Sequence, residues 1–198
     1  HADIDSILPG YDFVSPDTTN GGTTVIAGDN NGRDPNPTDP GDRVTVLDQT
    51  TLNAIFGRGS CPLEDSSWHG TQVASVIAAR TNNGQDIAAV NWAARILPVR
   101  VLGRCGGFTS DIMEAMRWAA GLHVVGVQDN PAANRAQVLN LSLGVSSEPC
   151  TKFEQSIFDE VLADGTVKAI VTAAGNDGGL ATNSSPGSCV GAVNVAGI

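Results

Sequence analysis

His69 is the residue in this sequence whose type and position most directly suggest chemistry. It stands where a polar loop meets a run of small and apolar residues, residues 68–79, whose composition predicts a helix that is buried nearly all round. A histidine at the N-terminal end of such a helix lies beside the positive end of the helix dipole, which favours the neutral imidazole. That form acts as a general base near neutral pH. The alternative interpretation is a histidine that caps the helix or packs in the core.

Three loops rich in small residues follow predicted strands and could bind a peptide. They are residues 103–107, the segment Ser142-Leu143-Gly144, and residues 173–178. Glycine in such loops lets another backbone approach closely, so two of them could hold an extended peptide by main-chain hydrogen bonds. In the third loop Asn176 offers an amide donor, and a donor aimed at a developing oxyanion is a large term in catalysis. The alternative for Asn176 is an asparagine in a left-handed turn.

Residues 29–42 concentrate side-chain oxygen atoms at short spacings, which predicts a calcium-binding loop. Closely spaced carboxylates repel one another unless a cation neutralises them, and Ca²⁺ accepts roughly 6–8 oxygen ligands in flexible geometry. The ligand spacing and the lack of a closing glutamate exclude an EF-hand. The alternative is a solvated loop rich in turns. The candidate ligands are Asp29, Asn31, Asp34, Asp39 and Asp42, with Asp34, Asp39 and Asp42 as the main carboxylates.

After the histidine helix the sequence alternates between strand and helix patterns. Strands are predicted at residues 95–102, 136–143, 167–174 and 191–196, and helices at residues 111–120 and 152–163. The second helix is predicted to be capped by Thr151, with these residues facing inward: Phe153, Ile157, Phe158, Val161 and Leu162. The alternation predicts an α/β fold with a mainly parallel sheet, helices on both faces, and functional loops at the carboxyl ends of the strands.

The first third of the sequence has a different character. Residues 1–13 show no element that could start a fold, and residues 14–67 are rich in Asp, Asn, Gly, Pro and Thr with little periodicity. Such a stretch is too long to be a passive connection in a compact domain. We therefore predict one domain over residues 1–198, with an acidic loop insertion at about residues 14–67.

The composition narrows the class of protein. With 198 residues, 41% of them hydrophobic, the chain is long enough for one sizeable core, and no apolar run approaches the roughly 18 residues that a membrane span needs. The net charge of −10 argues against nucleic-acid binding and suits a calcium-binding or exported protein. The four cysteines lack a C-x-x-C spacing, so two disulfides and an oxidising compartment are a better interpretation than a zinc site.

Four ordered motifs resemble those of the subtilisin-like serine proteases. They are His69-Gly70-Thr71-x-Val73-Ala74, Val99-x-Val101-Leu102-Gly103, Asn140-x-Ser142-Leu143-Gly144 and Ala173-Ala174-Gly175-Asn176. Their order and spacing match the family over roughly residues 66–197, and His1-x-Asp3-Ile4 resembles the segment shortly after its catalytic aspartate. The Cys105-Gly106-Gly107 loop and the acidic insertion resemble the secreted, disulfide-bonded bacterial branch of the family.

The resemblance implies a role for each matched segment in a three-layer α/β sandwich. His69 would be the general base and acid, and Asn176 would be the side-chain donor to the oxyanion. Two segments would wall the pocket for the residue before the scissile bond: Ser142, Leu143 and Gly144, and Ala173, Ala174 and Gly175. The substrate backbone would pair with Cys105, Gly106 and Gly107.

The resemblance also implies a second calcium site and bears on the cysteines. Asp3 and Asn83 match the family's strong calcium site, together with loop carbonyls around Thr81, Gln85 and Ile87. We further predict two disulfides. Cys61–Cys105 would tie the loop before the histidine helix to the substrate-pairing loop, and Cys150–Cys189 would tie the loop after residue 144 to the entrance of the last strand.

The sequence departs from the family's pattern at both ends. In the family the catalytic residues follow the order aspartate, histidine, serine, so the aspartate is expected before His1 and the nucleophile beyond Ile198. The serines at 184, 185 and 188 lie in a loop where the family has no nucleophile. We therefore expect the central part of a catalytic domain, with a fold that is incomplete at both ends and no activity by itself.

The resemblance predicts a secreted serine endopeptidase with Ca²⁺ as its cofactor. Its partners would be protein or peptide substrates and its own propeptide, with no nucleic acid or membrane, and it would be a monomer. The alternative function is a catalytically inactive relative that binds peptides or a partner protein, and an intact serine-bearing segment would distinguish the two. A third class, the nucleotide-binding α/β proteins, is excluded because neither G-x-G-x-x-G nor G-x-x-x-x-G-K-[ST] occurs.

Overall fold

The polypeptide separates into two units, His1–Ile112 and Met113–Ile198, in a computed structural model that describes residues 2–18, 21–146 and 148–197. The first unit contains, in chain order, β1 (Tyr11–Asp12), α1 (Val46–Phe56), α2 (His69–Ala78), β2 (Val99–Arg100) and the start of α3 (Thr109–Ala120). Within the described ranges, none of the helices has the length and apolar character needed to cross a membrane.

The strands of the first unit form a short parallel pair. β1 pairs with β2 so that Tyr11 lies opposite Val99. β1 lies within residues 1–13, where the sequence shows no element that could start a fold. The expectation that this segment has no such element is therefore wrong. β2 is shorter than the predicted strand at residues 95–102, which includes Pro98, and proline has no N–H to donate to a neighbouring strand.

Helix α1 lies inside residues 14–67, where the sequence shows little periodicity. Its N-terminus is closed by a capping box in which Asp48 Oδ2 accepts from the N–H and the hydroxyl of Thr45, at 3.0 and 2.6 Å. Leu52 is fully buried whereas Leu47 is 91% exposed, so the apolar residues of α1 do not share one face. The Thr45-x-x-Asp48 spacing is the one sequence signal that could have revealed this helix.

Apolar packing holds much of the irregular chain around α1. Leu52 belongs to a buried cluster with Val14, Ile26, Ala27, Val44 and Cys61. The rings of Phe56 and Phe108 stack beside this cluster with centroids 6.1 Å apart. The acidic insertion therefore contributes directly to the core of the first unit.

The guanidinium of Arg100, in β2, is buried and surrounded by carboxylates. Its Nη1 lies 2.6 Å from Asp12 Oδ2 and 3.2 Å from Asp29 Oδ2, and its Nη2 lies 3.5 Å from Asp39 Oδ1. Nη2 also donates to the carbonyl oxygen of Ala27 at 2.5 Å. Burial raises the pKa of Asp12, although a backbone N–H and the Arg100 guanidinium oppose that shift. This Arg100 cluster joins β1, β2 and the acidic loop.

Helix α2 is far less buried than the sequence predicts. Ala78 is buried, but Val76 is 56% exposed, and Val73 and Ile77 are only partly buried. The prediction of burial nearly all round is therefore wrong. A run of small and apolar residues shows that a helix can be covered on every side, but it does not specify which part of the chain covers it.

The second unit is built on parallel strands. Its elements after α3 are β3 (Val138–Leu141), β4 (Val145–Ser146), α4 (Lys152–Asp164), β5 (Ala169–Ala173), β6 (Ser184–Ser185) and β7 (Ala192–Val195), with short 3₁₀ turns at Ala132–Asn134 and Ala181–Asn183. β3, β5 and β7 form a parallel sheet in that order, and β4 and β6 form an antiparallel pair. The predicted α/β class with mainly parallel strands is confirmed.

Helix α4 begins where the sequence predicts. Thr151 is its N-cap and Glu154 completes the capping box. Phe158 and Val161 are buried as predicted, but Phe153 is 51% exposed, so its inward assignment is wrong. Glu154 stands four residues before Phe158 and therefore shares its face of the helix, and it occupies the buried position of the first turn.

Replacing Arg100 by methionine should leave Asp12 buried without its counter-charge. We expect the free energy of unfolding to fall by roughly 3–5 kcal/mol, measured by urea denaturation. Arg43→Met is the control, because Arg43 pairs with Asp65 at the surface, with side chains 66% and 94% exposed, and its loss should cost less than about 1 kcal/mol. Equal losses for the two variants would contradict the stabilising role of the buried cluster.

Candidate active site

His69 is the first residue of α2 and is exposed to solvent. Trp68, the N-cap residue, has a left-handed backbone with a φ of 51°, so the chain turns sharply into the helix. The N–H of His69 donates to Ser67 Oγ at 3.3 Å. His69 is neither the N-cap residue nor part of the core, so both alternatives are wrong. Its role as a general base stays a prediction.

Asp42 holds the loop that leads into α2. Its Oδ1 accepts from the N–H of Ser67 at 2.7 Å, and its Oδ2 accepts from the Ser67 hydroxyl at 2.5 Å. Burial raises the pKa of Asp42, but these hydrogen bonds and the charge of His69 outweigh burial, and the pKa falls below its ordinary value of 3.8. A carboxylate predicted as a calcium ligand therefore lies within electrostatic reach of His69.

The predicted substrate-pairing segment is a tight turn. The N–H of Gly103 donates to the Gly106 carbonyl at 2.8 Å, and the N–H of Gly106 donates back to the Gly103 carbonyl at 3.3 Å. Between them Cys105 has a φ of 68°. A Cβ on Gly103 would lie 2.1 Å from the carbonyl oxygen of Ile26, so only glycine fits there. The backbone of this turn is therefore closely constrained.

A disulfide and an ion pair fix this turn to the rest of the first unit. Cys105 is bonded to the buried Cys61, and Arg104 Nη1 lies 2.8 Å from Asp48 Oδ1. Burial raises the pKa of Asp48, but hydrogen bonds from Thr45 and the charge of Arg104 outweigh burial and lower it. The pairing of Arg104 with Asp48 could not be predicted from the sequence, because residues 56 positions apart form no local motif.

In the second unit the structure brings the two predicted pocket walls together. β3 and β5 are neighbouring parallel strands, so residues 142–144 and 173–175 lie at the same edge of the sheet. The hydroxyl of Ser146 donates to Asp177 Oδ2, which links β4 to the loop that carries the exposed Asn176. A Cβ on Gly144 would lie 2.5 Å from the carbonyl oxygen of Ser185 in β6. The segment after β3 is thus in close contact with β6.

Both predicted disulfides are confirmed. Cys61 is bonded to Cys105, and Cys150 is bonded to Cys189. The N–H of Cys150 also donates to Ser188 Oγ at 2.8 Å. The second disulfide therefore ties the segment before α4 to the entrance of β7, as predicted.

Comparison with known protein families gives the same assignment as the motifs. The model described as the subtilase family matches residues 56–198. The chain belongs to the subtilase family. The prediction that residues 1–198 form part of one catalytic domain stays a prediction.

Relatives of this subtilase chain are known from several bacteria. The "Extracellular protease" of Xanthomonas campestris pv. campestris is 42% identical over 197 residues, which cover 99% of this chain and 30% of that protein. The "Extracellular basic protease" of Dichelobacter nodosus is 42% identical over 193 residues, which cover 96% of this chain and 29% of that protein. A solved protease structure from Pseudoalteromonas arctica aligns with a TM-score of 0.85 and 43% identity, over 100% of this chain and 52% of that one. The subtilase chain thus spans under a third of the Xanthomonas and Dichelobacter proteases.

In the acidic loop, the predicted calcium ligands have partners within the protein. Asp29 and Asp39 contact the Arg100 guanidinium, and Asp34 accepts from the side-chain amide of Asn31. In the parts of the chain that the structure describes, no group of three or more His, Cys, Asp or Glu side chains is arranged to hold a metal ion. Calcium binding at this loop stays a prediction.

The structure does place the residues of the second predicted calcium site together. The side-chain amide of Asn83 donates to Oδ1 of the buried Asp3 at 2.5 Å, and the N–H of Gln85 donates to Asn83 Oδ1 at 3.1 Å. An open cavity of about 290 Å³ is lined by residues 80 and 82–88, which include Ile87. A carboxylate, an amide oxygen and loop carbonyls are oxygen donors of the kind that Ca²⁺ prefers, but Asn83 directs its amide nitrogen at Asp3 and its oxygen at the N–H of Gln85. The residue types fit that ion, and calcium binding at this site stays a prediction.

Replacing Gly144 by alanine should push the segment after β3 away from β6, because the added Cβ would overlap the Ser185 carbonyl. We expect a loss of about 1–3 kcal/mol in the free energy of unfolding, measured by urea denaturation. Gly179→Ala is the matched control, since no atom lies within 4 Å of a Cβ at that position. A Gly144→Ala variant as stable as the control would show that this close contact does not exist.

Proposed function

We propose that this chain is the part of a secreted serine endopeptidase that supplies the general base, the oxyanion donor and the main substrate-binding loops. The reaction is hydrolysis of peptide bonds in proteins. The observation that carries the proposal is the exposed imidazole of His69 at the N-terminus of α2, in a chain of the subtilase family.

In the proposed reaction, His69 takes the proton of a serine hydroxyl as that oxygen attacks the scissile carbonyl, and returns the proton to the leaving amine. An aspartate orients the imidazole and stabilises its charged form. In the family the aspartate precedes the histidine and the serine follows it, so we expect both in the longer protein, outside residues 1–198. The amide of Asn176 would donate to the oxyanion as it develops.

The loops around this chemistry would bind the substrate. Residues 105–107 would pair with an extended peptide backbone, and their constrained turn would keep the ordering cost of binding low. Residues 142–144 and 173–175 would enclose the side chain before the scissile bond. We infer protein substrates and secretion because two relatives are named extracellular proteases and because the disulfides suit an oxidising compartment. A monomeric state and an interaction with its own propeptide are further proposals.

His69→Ala in the complete protein should lower kcat by about 10⁶-fold, the effect measured for the corresponding change in subtilisin. Asn176→Ala should lower kcat by about 10²–10³-fold, again the value measured in that enzyme, with KM little changed because its bond forms chiefly in the transition state. Steady-state hydrolysis of a chromogenic peptide measures both. Residues 1–198 alone should show no hydrolysis.

His123→Ala is the matched control for these variants, because His123 is an exposed histidine paired with Asp129 at 2.8 Å. It should keep full activity. A complete protein that hydrolyses peptides normally without His69 would end the assignment of that residue. A complete protein with no hydrolysis at all would favour the alternative of an inactive peptide-binding relative.

We also propose that Ca²⁺ is the cofactor of this subtilase. Asp3 and Asn83, with carbonyls near Thr81, Gln85 and Ile87, would hold one ion, and residues 29–42 would hold another. The ion at Asp3 would neutralise a buried carboxylate and order the loop after α2. An ion at the acidic loop would share carboxylates with Arg100, which already contacts two of them.

A calcium chelator should lower the Tm of the complete protein, because an ion that binds only the folded state stabilises it, and added Ca²⁺ should restore the Tm. Asp3→Asn should remove the part of this shift due to the first site, and Asp34→Asn the part due to the second. Asp5→Asn is the control, because the exposed Asp5 pairs with Arg80 at 3.1 Å. If the chelator leaves the Tm of the unmodified protein unchanged, both calcium sites are excluded.

A further inference from the structure

Glu154 is a buried carboxylate that the proposed reaction does not use. It is 4% exposed, and charged side chains are almost never so buried unless they are paired. Its Oε2 accepts from the N–H and the hydroxyl of Thr151, each at 2.7 Å. Its Oε1 accepts from the hydroxyl of Ser185 in β6. The cap of α4 thus uses one oxygen atom, and the other is directed at a different element.

Ser185 connects this carboxylate to the segment after β3. Its hydroxyl donates to Glu154. A Cβ on Gly144 would lie only 2.5 Å from its carbonyl oxygen. Within the β4–β6 pair Ser185 lies opposite Val145. The position of Ser185 therefore sets the distance between the N-terminus of α4 and residues 142–146.

The antiparallel β4–β6 pair also contacts the loop after β5. Ser146 lies opposite Ser184, and the Ser146 hydroxyl donates to Asp177. A Cβ on Gly187 would lie 2.6 Å from Ser184 Oγ and 2.9 Å from the carbonyl oxygen of Ala173. Of the two predicted pocket walls, Gly144 therefore lies against β6 itself, and Ala173 lies beside Gly187, two residues after that strand.

We propose that Glu154 is a positioning residue that sets the width of the pocket for the side chain before the scissile bond, acting through Ser185. The inference rests on the proposed function, which assigns residues 142–144 and 173–175 to that pocket. Without the bond to Glu154, β6 and Gly144 can shift together. Pocket width decides how well an enzyme separates substrates that differ in side-chain size, where one methylene is worth about ten-fold or more.

The test separates pocket positioning from helix capping in the complete protein. Ser185→Ala removes the bond to Glu154 and leaves the cap of α4 in place. Thr151→Ala removes the cap and leaves the bond to Ser185. Ser156→Ala is the matched control, because the exposed Ser156 hydroxyl donates to the carbonyl of Phe153, at 2.7 Å within α4.

The readout is the ratio of kcat/KM for two peptides that differ only in alanine or phenylalanine before the scissile bond. Ser185→Ala should change this ratio by about ten-fold, whereas Thr151→Ala should lower the Tm and keep the ratio. Glu154→Asp, which keeps the charge but withdraws it from Ser185, should change the ratio in the same direction and serves if Ser185→Ala does not fold.

An unchanged ratio in both Ser185→Ala and Glu154→Asp, in an enzyme that cleaves the peptides, would overturn the inference while leaving the proposed function intact. Equal changes of the ratio in Thr151→Ala and Ser185→Ala would also overturn it, because a general loosening of the fold would then explain both. If the unmodified complete protein cleaves neither peptide, the proposed function fails and this inference fails with it.

Discussion

The burial of one guanidinium, that of Arg100, is the interaction on which the first unit depends. A charge in the interior is tolerated only when opposite charges and acceptors surround it, and Arg100 has Asp12, Asp29 and the carbonyl of Ala27. These acceptors come from β1 and from separate points of a long irregular loop, so satisfying the guanidinium fixes the path of that loop. β2 carries Arg100 and runs directly into the Gly103 turn. The position of the proposed substrate-pairing segment therefore follows from the same cluster.

The second unit also contains a buried charged group whose partners surround it, but here the charge is negative. The carboxylate of Glu154 is buried with both oxygen atoms hydrogen-bonded, and its partners belong to the start of α4 and to β6. The loops involved have few ladder hydrogen bonds to hold them, because β4 and β6 are only two residues long. In both units, a buried charged group supplies the order that short strands cannot.

Local chemistry explains what could be predicted from the sequence. The Thr151 cap depends on Glu154, three residues further on, and the loops after β3 and β5 lie within the family motifs. The contacts that escape sequence analysis join distant positions: Arg100 and Asp12 are 88 residues apart, and no local pattern encodes their pairing. Helix α1 could not be predicted from apolar periodicity because its apolar residues do not share one face. The burial of α2 was overestimated because an apolar pattern does not identify the surface that covers it.

Affinity labelling of the complete protein with a peptidyl chloromethyl ketone would test the role of His69 most directly. Such a reagent alkylates an imidazole only where binding of its peptide part holds the chloromethyl ketone beside a nucleophilic ring nitrogen. Mass spectrometry of the digest locates the adduct. We expect an adduct on His69 that a competing peptide substrate prevents, and none on the exposed His123. A protein that hydrolyses peptides yet carries its adduct on another residue, with His69 unmodified, would show that His69 is not the general base.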